Sequence, residues 1–234
     1  MWSRRKGGYT ANSMNHDLGV IFDMDGVLVD SYHAHHASWN QMLSERGRSM
    51  SGPEFAATFG RTSREIIAAL WPEDGLSEDQ IARLDSRKEA AFRELLAREF
   101  PAMPGAVELL DSLHAAGFAL AVGSSGPPEN VDLVLDRLGR RGRFDAVVHG
   151  MDVTRGKPDP QVFLLAAERM GVPPRLCAVV EDAPLGITAA KAAGMAAVGL
   201  ASTGRTRESL AAADLVVDSL GELTPQVFRR LIGE

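Results

Sequence analysis

Residues 18–31 read Leu-Gly-Val-Ile-Phe-Asp-Met-Asp-Gly-Val-Leu-Val-Asp-Ser, and the fold follows from them. The run Leu18–Asp23 is apolar up to its last residue with no polar alternation, which marks a strand buried on both faces, as in a parallel sheet. It ends on an acid, Asp23, with a second acid, Asp25, ahead of a glycine. Carboxylates two apart on a strand face opposite sides, but Gly26 permits a tight turn that re-aims the second. Similar runs recur at Phe118–Gly123, Phe144–Val148, Leu176–Val180, Met195–Gly199 and Asp214–Val217. Helical patterns near 105–116, 127–138, 160–170 and 184–193 separate them, set off by Gly and Pro. Alternating strands and helices predict an α/β chain with a doubly wound parallel sheet.

The alternation breaks once. Residues 31–103 carry helical patterns and no convincing strand, so the expectation is a core of 17–30 plus 104–234 with a helical insert over 31–103. Within the insert, Ser63 is the expected cap of a helix carrying Ile66, Ile67 and Leu70. Ser77 starts a longer helix whose stripe holds Ile81, Leu84, Phe92, Leu95 and Leu96, with Glu89–Arg93 and Glu94–Arg98 spaced as i,i+4 pairs. Residues 1–16 are polar and Gly-containing and read as a disordered extension.

Composition bounds what such a chain does. With 234 residues, folding can bury about 70% of the unfolded surface, so no staples are required. Hydrophobic residues make up 45% and charged residues 24%, ordinary globular values that exclude bulk disorder. The net charge of −6 argues against an electrostatic grip on nucleic acid. No apolar run approaches the roughly 18 residues of a membrane helix, and Arg4, Arg5 and Lys6 lack the apolar stretch of a secretory signal. A cytoplasmic monomer with no membrane or nucleic-acid partner is the expectation. The single cysteine, Cys177, excludes an intrachain disulfide and reads as a buried inert thiol.

Four features fall where strands end. Asp23 and Asp25 follow the first strand. Ser124-Ser125-Gly126 follows the second, offering hydroxyls and backbone N–H groups to an anion at a helix start. Gly156-Lys157-Pro158-Asp159-Pro160 is a loop stiffened by two prolines that presents one lysine before a helix. Glu181-Asp182 closes the run Leu176–Val180, where two acids repel each other unless a cation offsets them. In a parallel sheet all these positions lie at the carboxyl edge, where open α/β folds bind ligands.

Asp-Met-Asp-Gly-Val-Leu-Val-Asp-Ser at 23–31, Ser124, Gly-Lys-Pro-Asp-Pro at 156–160 and Val179–Met195 together resemble the four motifs of the haloacid dehalogenase superfamily, over residues 18–230. The resemblance implies a Rossmann-like core, a helical cap after the first motif, and Mg²⁺-dependent phosphoryl transfer through an aspartyl-phosphate. It makes Asp23 the nucleophile, Asp25 the general acid/base, and Ser124, Ser125 and Lys157 the holders of the phosphoryl oxygens. It gives Mg²⁺ to Asp23, Asp182 and the Asp25 carbonyl, with Glu181 as a ligand or a supporting acid.

In the insert, His33, His35 and His36 cluster near Trp39, and His35 shares a helix face with Trp39. Lys88 sits in an apolar stripe and Arg64 near the start of a helix. These positions resemble the β-phosphoglucomutase-like branch, which implies that His35, Arg64 and Lys88 face a phosphorylated sugar. The expected function is hydrolysis of a small phosphorylated metabolite, a sugar phosphate. The alternative is a β-phosphoglucomutase. A 2-haloacid dehalogenase needs neither Asp25 nor Asp182, and a retired binding homologue need not keep the full set.

Overall fold

The computed structural model describes residues 16–58, 61–71 and 75–233. The six strands are β1 (Gly19–Phe22), β2 (Ala119–Gly123), β3 (Ala146–Val148), β4 (Cys177–Glu181), β5 (Ala196–Leu200) and β6 (Leu215–Val217). All pair in parallel, in the order β3-β2-β1-β4-β5-β6. β1 is central and its four residues are buried, as its unbroken apolar run requires. The strand order reverses between β1 and β4, and ligands of doubly wound sheets bind at that point.

Successive side chains on a strand point to opposite faces, so the sheet builds two cores. On one face Val20, Phe22 and Val180 pack with α5 (Ala106–Ala115), α6 (Pro128–Leu138) and α9 (Pro225–Ile232). On the other, Ile21 and Val179 pack with α7 (Gln161–Met170) and α8 (Pro184–Ala192). Cys177 lies in the second core, where burial pushes its thiol up to about 12 and leaves it unreactive.

Between β1 and α5 run α1 (Tyr32–Ser44), α2 (Gly52–Ala56), α3 (Ser63–Leu70) and α4 (Glu78–Arg98), with no strand among the described residues. Trp39, Leu43, Phe55, Ile67, Trp71 and Leu84 form a third apolar cluster from these helices. α4 belongs to two cores at once. Its first half packs in that cluster, while Phe92 and Leu96 join the core of the sheet.

Two local expectations are corrected. Thr62, not Ser63, caps α3, because its hydroxyl and the Glu65 carboxylate close a reciprocal capping box. Glu89 does not pair with Arg93. Glu89 is buried and bonded to Lys88, Ser63 and Asn130, while Arg93 donates to the Asn130 side-chain oxygen at 2.9 Å. The spacing fits both arrangements, and burial decides between them. The expected extension 1–16 lies outside the described residues except for His16, whose Nδ1 lies 2.8 Å from the Gly117 carbonyl.

Phe92 is fully buried and ties α4 to the sheet core. Phe92→Ala is expected to cost about 3–5 kcal/mol in urea denaturation; a cost below about 1 kcal/mol would mean that α4 is not anchored there.

Candidate active site

The Asp23 backbone N–H extends the ladder to Val180 O at 2.9 Å, so this side chain leaves the sheet at its carboxyl edge. Glu181 ends the neighbouring strand and Asp182 follows it. All three carboxylates are buried, with oxygens within 4.8 Å of one another. Two glycines make this crowding feasible. A Cβ on Gly26, whose φ is +76°, would stand 2.2 Å from an Asp182 oxygen, and one on Gly186 would stand 1.8 Å from Glu181.

Lys157 enters from the loop before α7 and bonds Asp23 Oδ1 at 2.6 Å and Glu181 Oε1 at 2.7 Å. Burial alone would lower its pKa, but the two carboxylates outweigh this and raise it. The second Glu181 oxygen accepts from the Ala183 backbone N–H at 2.8 Å. Glu181 is thus held on both oxygens and anchors the lysine. Asp182 pairs with Arg205 Nε at 2.9 Å, and both side chains are nearly buried.

Positive charge is short here. Burial, then repulsion from Glu181, Asp182 and Asp25, hold the Asp23 carboxyl well above its ordinary range despite Lys157. Burial and Glu181 push Asp182 up to about 7 although Arg205 opposes them. Such a set of oxygens suits a hard divalent cation such as Mg²⁺. Asp23 and Asp182 each keep a second oxygen beyond those bonded to Lys157 and Arg205.

Asp25 faces a different environment. Burial would raise its pKa, but the adjacent His35 and a hydrogen bond from Ser31 prevail and hold it below the usual carboxylate range. His35 Nε2 lies 3.2 Å from Asp25 Oδ1, and His35 Nδ1 lies 2.8 Å from Lys88 Nζ. An ammonium only donates, so Nδ1 accepts and Nε2 carries the proton shared with Asp25. Phe92 stacks on the imidazole with centroids 3.9 Å apart. Lys88, expected to face a ligand directly, is 2% exposed and bonded to Glu89 at 2.8 Å as well as to His35.

Ser124 is buried after β2, and its Oγ accepts from the Gly126 N–H at 3.0 Å, while Ser125 is exposed beside it. Both line a cavity of about 490 Å³, whose wall also holds Asp23, Asp25, Lys157 and Asp182. Arg64 reaches this wall, but it is exposed and paired with Glu78 at 2.6 Å. His33 and His36 do not line it; the His36 ring nitrogen instead lies 2.7 Å from the Met50 carbonyl. Sequence reasoning missed Arg205, Glu89 and Asn130. The one local signal for Arg205 was its place in the loop following a strand at the same edge.

The site can therefore hold an anion between Ser124 and Lys157, present a carboxylate to it from Asp23, and handle a proton at Asp25. The haloacid dehalogenase-like hydrolase family model matches residues 18–194. The chain is 37% identical over 180 residues to the fructose-1-phosphate phosphatase of Escherichia coli, covering 77% of this chain and 94% of the relative. It is 34% identical over 211 residues to the validoxylamine A 7'-phosphate phosphatase of Streptomyces hygroscopicus subsp. limoneus, covering 87% and 94%. The crystal structure of β-phosphoglucomutase from Clostridium difficile superposes with a TM-score of 0.83 at 26% identity, covering 92% of this chain and 97% of that one. Among the described residues no helix is long and apolar enough to cross a membrane.

Gly186→Ala tests the close packing. Alanine favours a helix by about 1 kcal/mol, yet its methyl would overlap the Glu181 carboxyl. A net loss of about 1–3 kcal/mol in chemical denaturation is expected, and a stabilised variant would displace Glu181 from this position.

Proposed function

The chain belongs to the haloacid dehalogenase-like hydrolases, and on that premise we propose that it hydrolyses a phosphate monoester of a sugar or sugar alcohol, with Asp23 as the attacking group. The carrying observation is the buried Asp23 carboxylate held by Lys157 beside Ser124 at the switch point of the sheet.

A carboxylate and a phosphate dianion repel, so the site must neutralise both before they meet. Lys157 and the Ser124 hydroxyl receive the phosphoryl oxygens. Asp23, Asp182 and the Asp25 backbone carbonyl would hold Mg²⁺ with Glu181 beside them, and the bound ion would neutralise phosphoryl and carboxylate charge. An Asp23 oxygen attacks phosphorus, the ester P–O bond breaks, and the leaving oxygen takes a proton from Asp25. Asp25, now ionised, takes a proton from water as that water attacks the aspartyl-phosphate, which frees phosphate and restores Asp23. Asp25 is ionised in the arrangement above, so it must first gain the proton it gives. The Lys88–His35 chain points donors toward it.

The helices α1–α4 act in this reading as a cap that closes the cavity over the sugar. The phosphatase relatives support hydrolysis of a phosphorylated carbohydrate. The likeness to the solved β-phosphoglucomutase favours a second reading, in which the phosphoryl group passes to a sugar hydroxyl instead of water. Incubation with β-glucose 1-phosphate and catalytic bisphosphate separates the two, giving free phosphate or glucose 6-phosphate.

Turnover of p-nitrophenyl phosphate is expected with Mg²⁺ and not with EDTA. Asp23→Asn is expected to abolish it with the fold retained, because an amide does not attack phosphorus. A rate within about tenfold of wild type would assign the attack elsewhere. Asp182→Asn is expected to raise the Mg²⁺ concentration needed for half-maximal rate, since a hard anionic ligand is lost. An unchanged metal titration would remove Asp182 from the metal site.

A further inference from the structure

The charges on the cap side of the cavity bear on what the non-reacting end of the substrate carries. Among the described residues, six cations and seven carboxylates line the cavity. Lys157 and Arg205 are held by the carboxylates of the sheet edge. The remaining four cations are Arg61, Arg64, Lys88 and Arg93.

Lys88 is the buried one, and it is matched by Glu89 at 2.8 Å. Glu89 is itself fixed from three elements, by Lys88 on α4, Ser63 on α3 at 2.8 Å and Asn130 on α6 at 2.6 Å. A charge so matched at close range has little field left for a second anion. Arg64 is turned to Glu78, and Arg93 to the Asn130 oxygen. Arg61 is exposed and donates to the Glu65 carbonyl, so solvent screens its charge.

Asp85 stands in the same wall one turn before Lys88 and Glu89, on their face of α4. Among the described residues it makes no hydrogen bond or ion pair, because Arg64 and Lys88, the cations whose charge reaches it, are bonded to other carboxylates. Burial and the Glu89 charge raise its pKa, the mark of a carboxylate short of positive charge. Ser63, Thr58 and Ser86 bring hydroxyls to the cavity wall, which Trp39 and Phe55 also line.

We propose that the cap side of the cavity receives a neutral, hydroxyl-bearing group and disfavours a second phosphate, with Glu89 and Asp85 as the specificity-determining residues. Glu89 acts by matching Lys88, and Asp85 by opposing an anion directly. The inference rests on the phosphatase reading and sharpens it to monophosphates of polyhydroxylated carbon skeletons. It also bears on mutase chemistry, which has to hold a sugar bisphosphate with one phosphate on the cap side.

The test compares kcat/KM for fructose 1-phosphate against fructose 1,6-bisphosphate, and glucose 6-phosphate against glucose 1,6-bisphosphate, with Mg²⁺. Wild type is expected to favour the monophosphate of the better pair by at least about tenfold. Asp85→Asn, a near-isosteric change at a half-buried site, and Glu89→Gln, which leaves Lys88 unmatched, are each expected to narrow that ratio by about threefold or more. Melting temperatures identify a misfolded variant, and Asp85→Asn then carries the test alone. Bisphosphate turnover by wild type within about threefold of monophosphate, or a ratio unmoved by the folded variants, overturns the inference. Failure to hydrolyse any of the esters or p-nitrophenyl phosphate overturns the phosphatase reading and the inference with it.

Discussion

Three carboxylates buried at the end of two adjacent strands impose the constraint around which the rest is arranged. Asp23, Glu181 and Asp182 are largely removed from water, and their mutual repulsion would destabilise the edge of the sheet without compensation. Lys157 supplies the first compensation from a loop 134 residues beyond Asp23, and Arg205 the second from the loop after β5. Removing either cation from such a buried set typically costs about 3–5 kcal/mol, because carboxylate charge is left unpaired. Gly26 and Gly186 give the carboxylates the room that a Cβ would take. Even so, Asp23 and Asp182 remain above their ordinary pKa range, a deficit of positive charge that suits a divalent ion.

A second polar network meets the first across the cavity. From Asn130 on α6 it runs through Glu89 and Lys88 on α4 to His35 on α1, and ends on Asp25 beside the sheet. Most of these groups are buried, so each must satisfy its neighbour to stay charged or polar. Phe92 supports the chain by stacking on His35 while packing into the sheet core. The helices after β1 are thus joined to the sheet both by apolar packing and by a chain of hydrogen bonds. That chain holds Asp25 in an environment opposite to that of Asp23, one carboxyl lowered and the other raised. Two acids two residues apart acquire different chemistry from different neighbours.

Much of this was legible in the residues themselves. Short apolar runs located all six strands to within a residue or two, most cleanly in the central strands β1, β2 and β4, where burial on both faces leaves little room for polar residues. The acids, serines and lysine at the carboxyl edge could be found because a parallel sheet brings every strand's end to the same side. Local capping was nearly readable too, with Thr62 rather than Ser63 taking the role through its partner Glu65. Tertiary structure decided the pairings. A spacing of four made Glu89 and Arg93 partners on an isolated helix, yet α6 lies close enough for Asn130 to donate to Glu89 and accept from Arg93. Arg205 and Lys157 reach their carboxylates across 23 and 134 residues, and His35 reaches Asp25 from a helix whose direction is set by packing. Periodicity and turn chemistry act within a few residues and can be read along the chain, whereas an ion pair between distant segments exists only once the sheet order has brought them together.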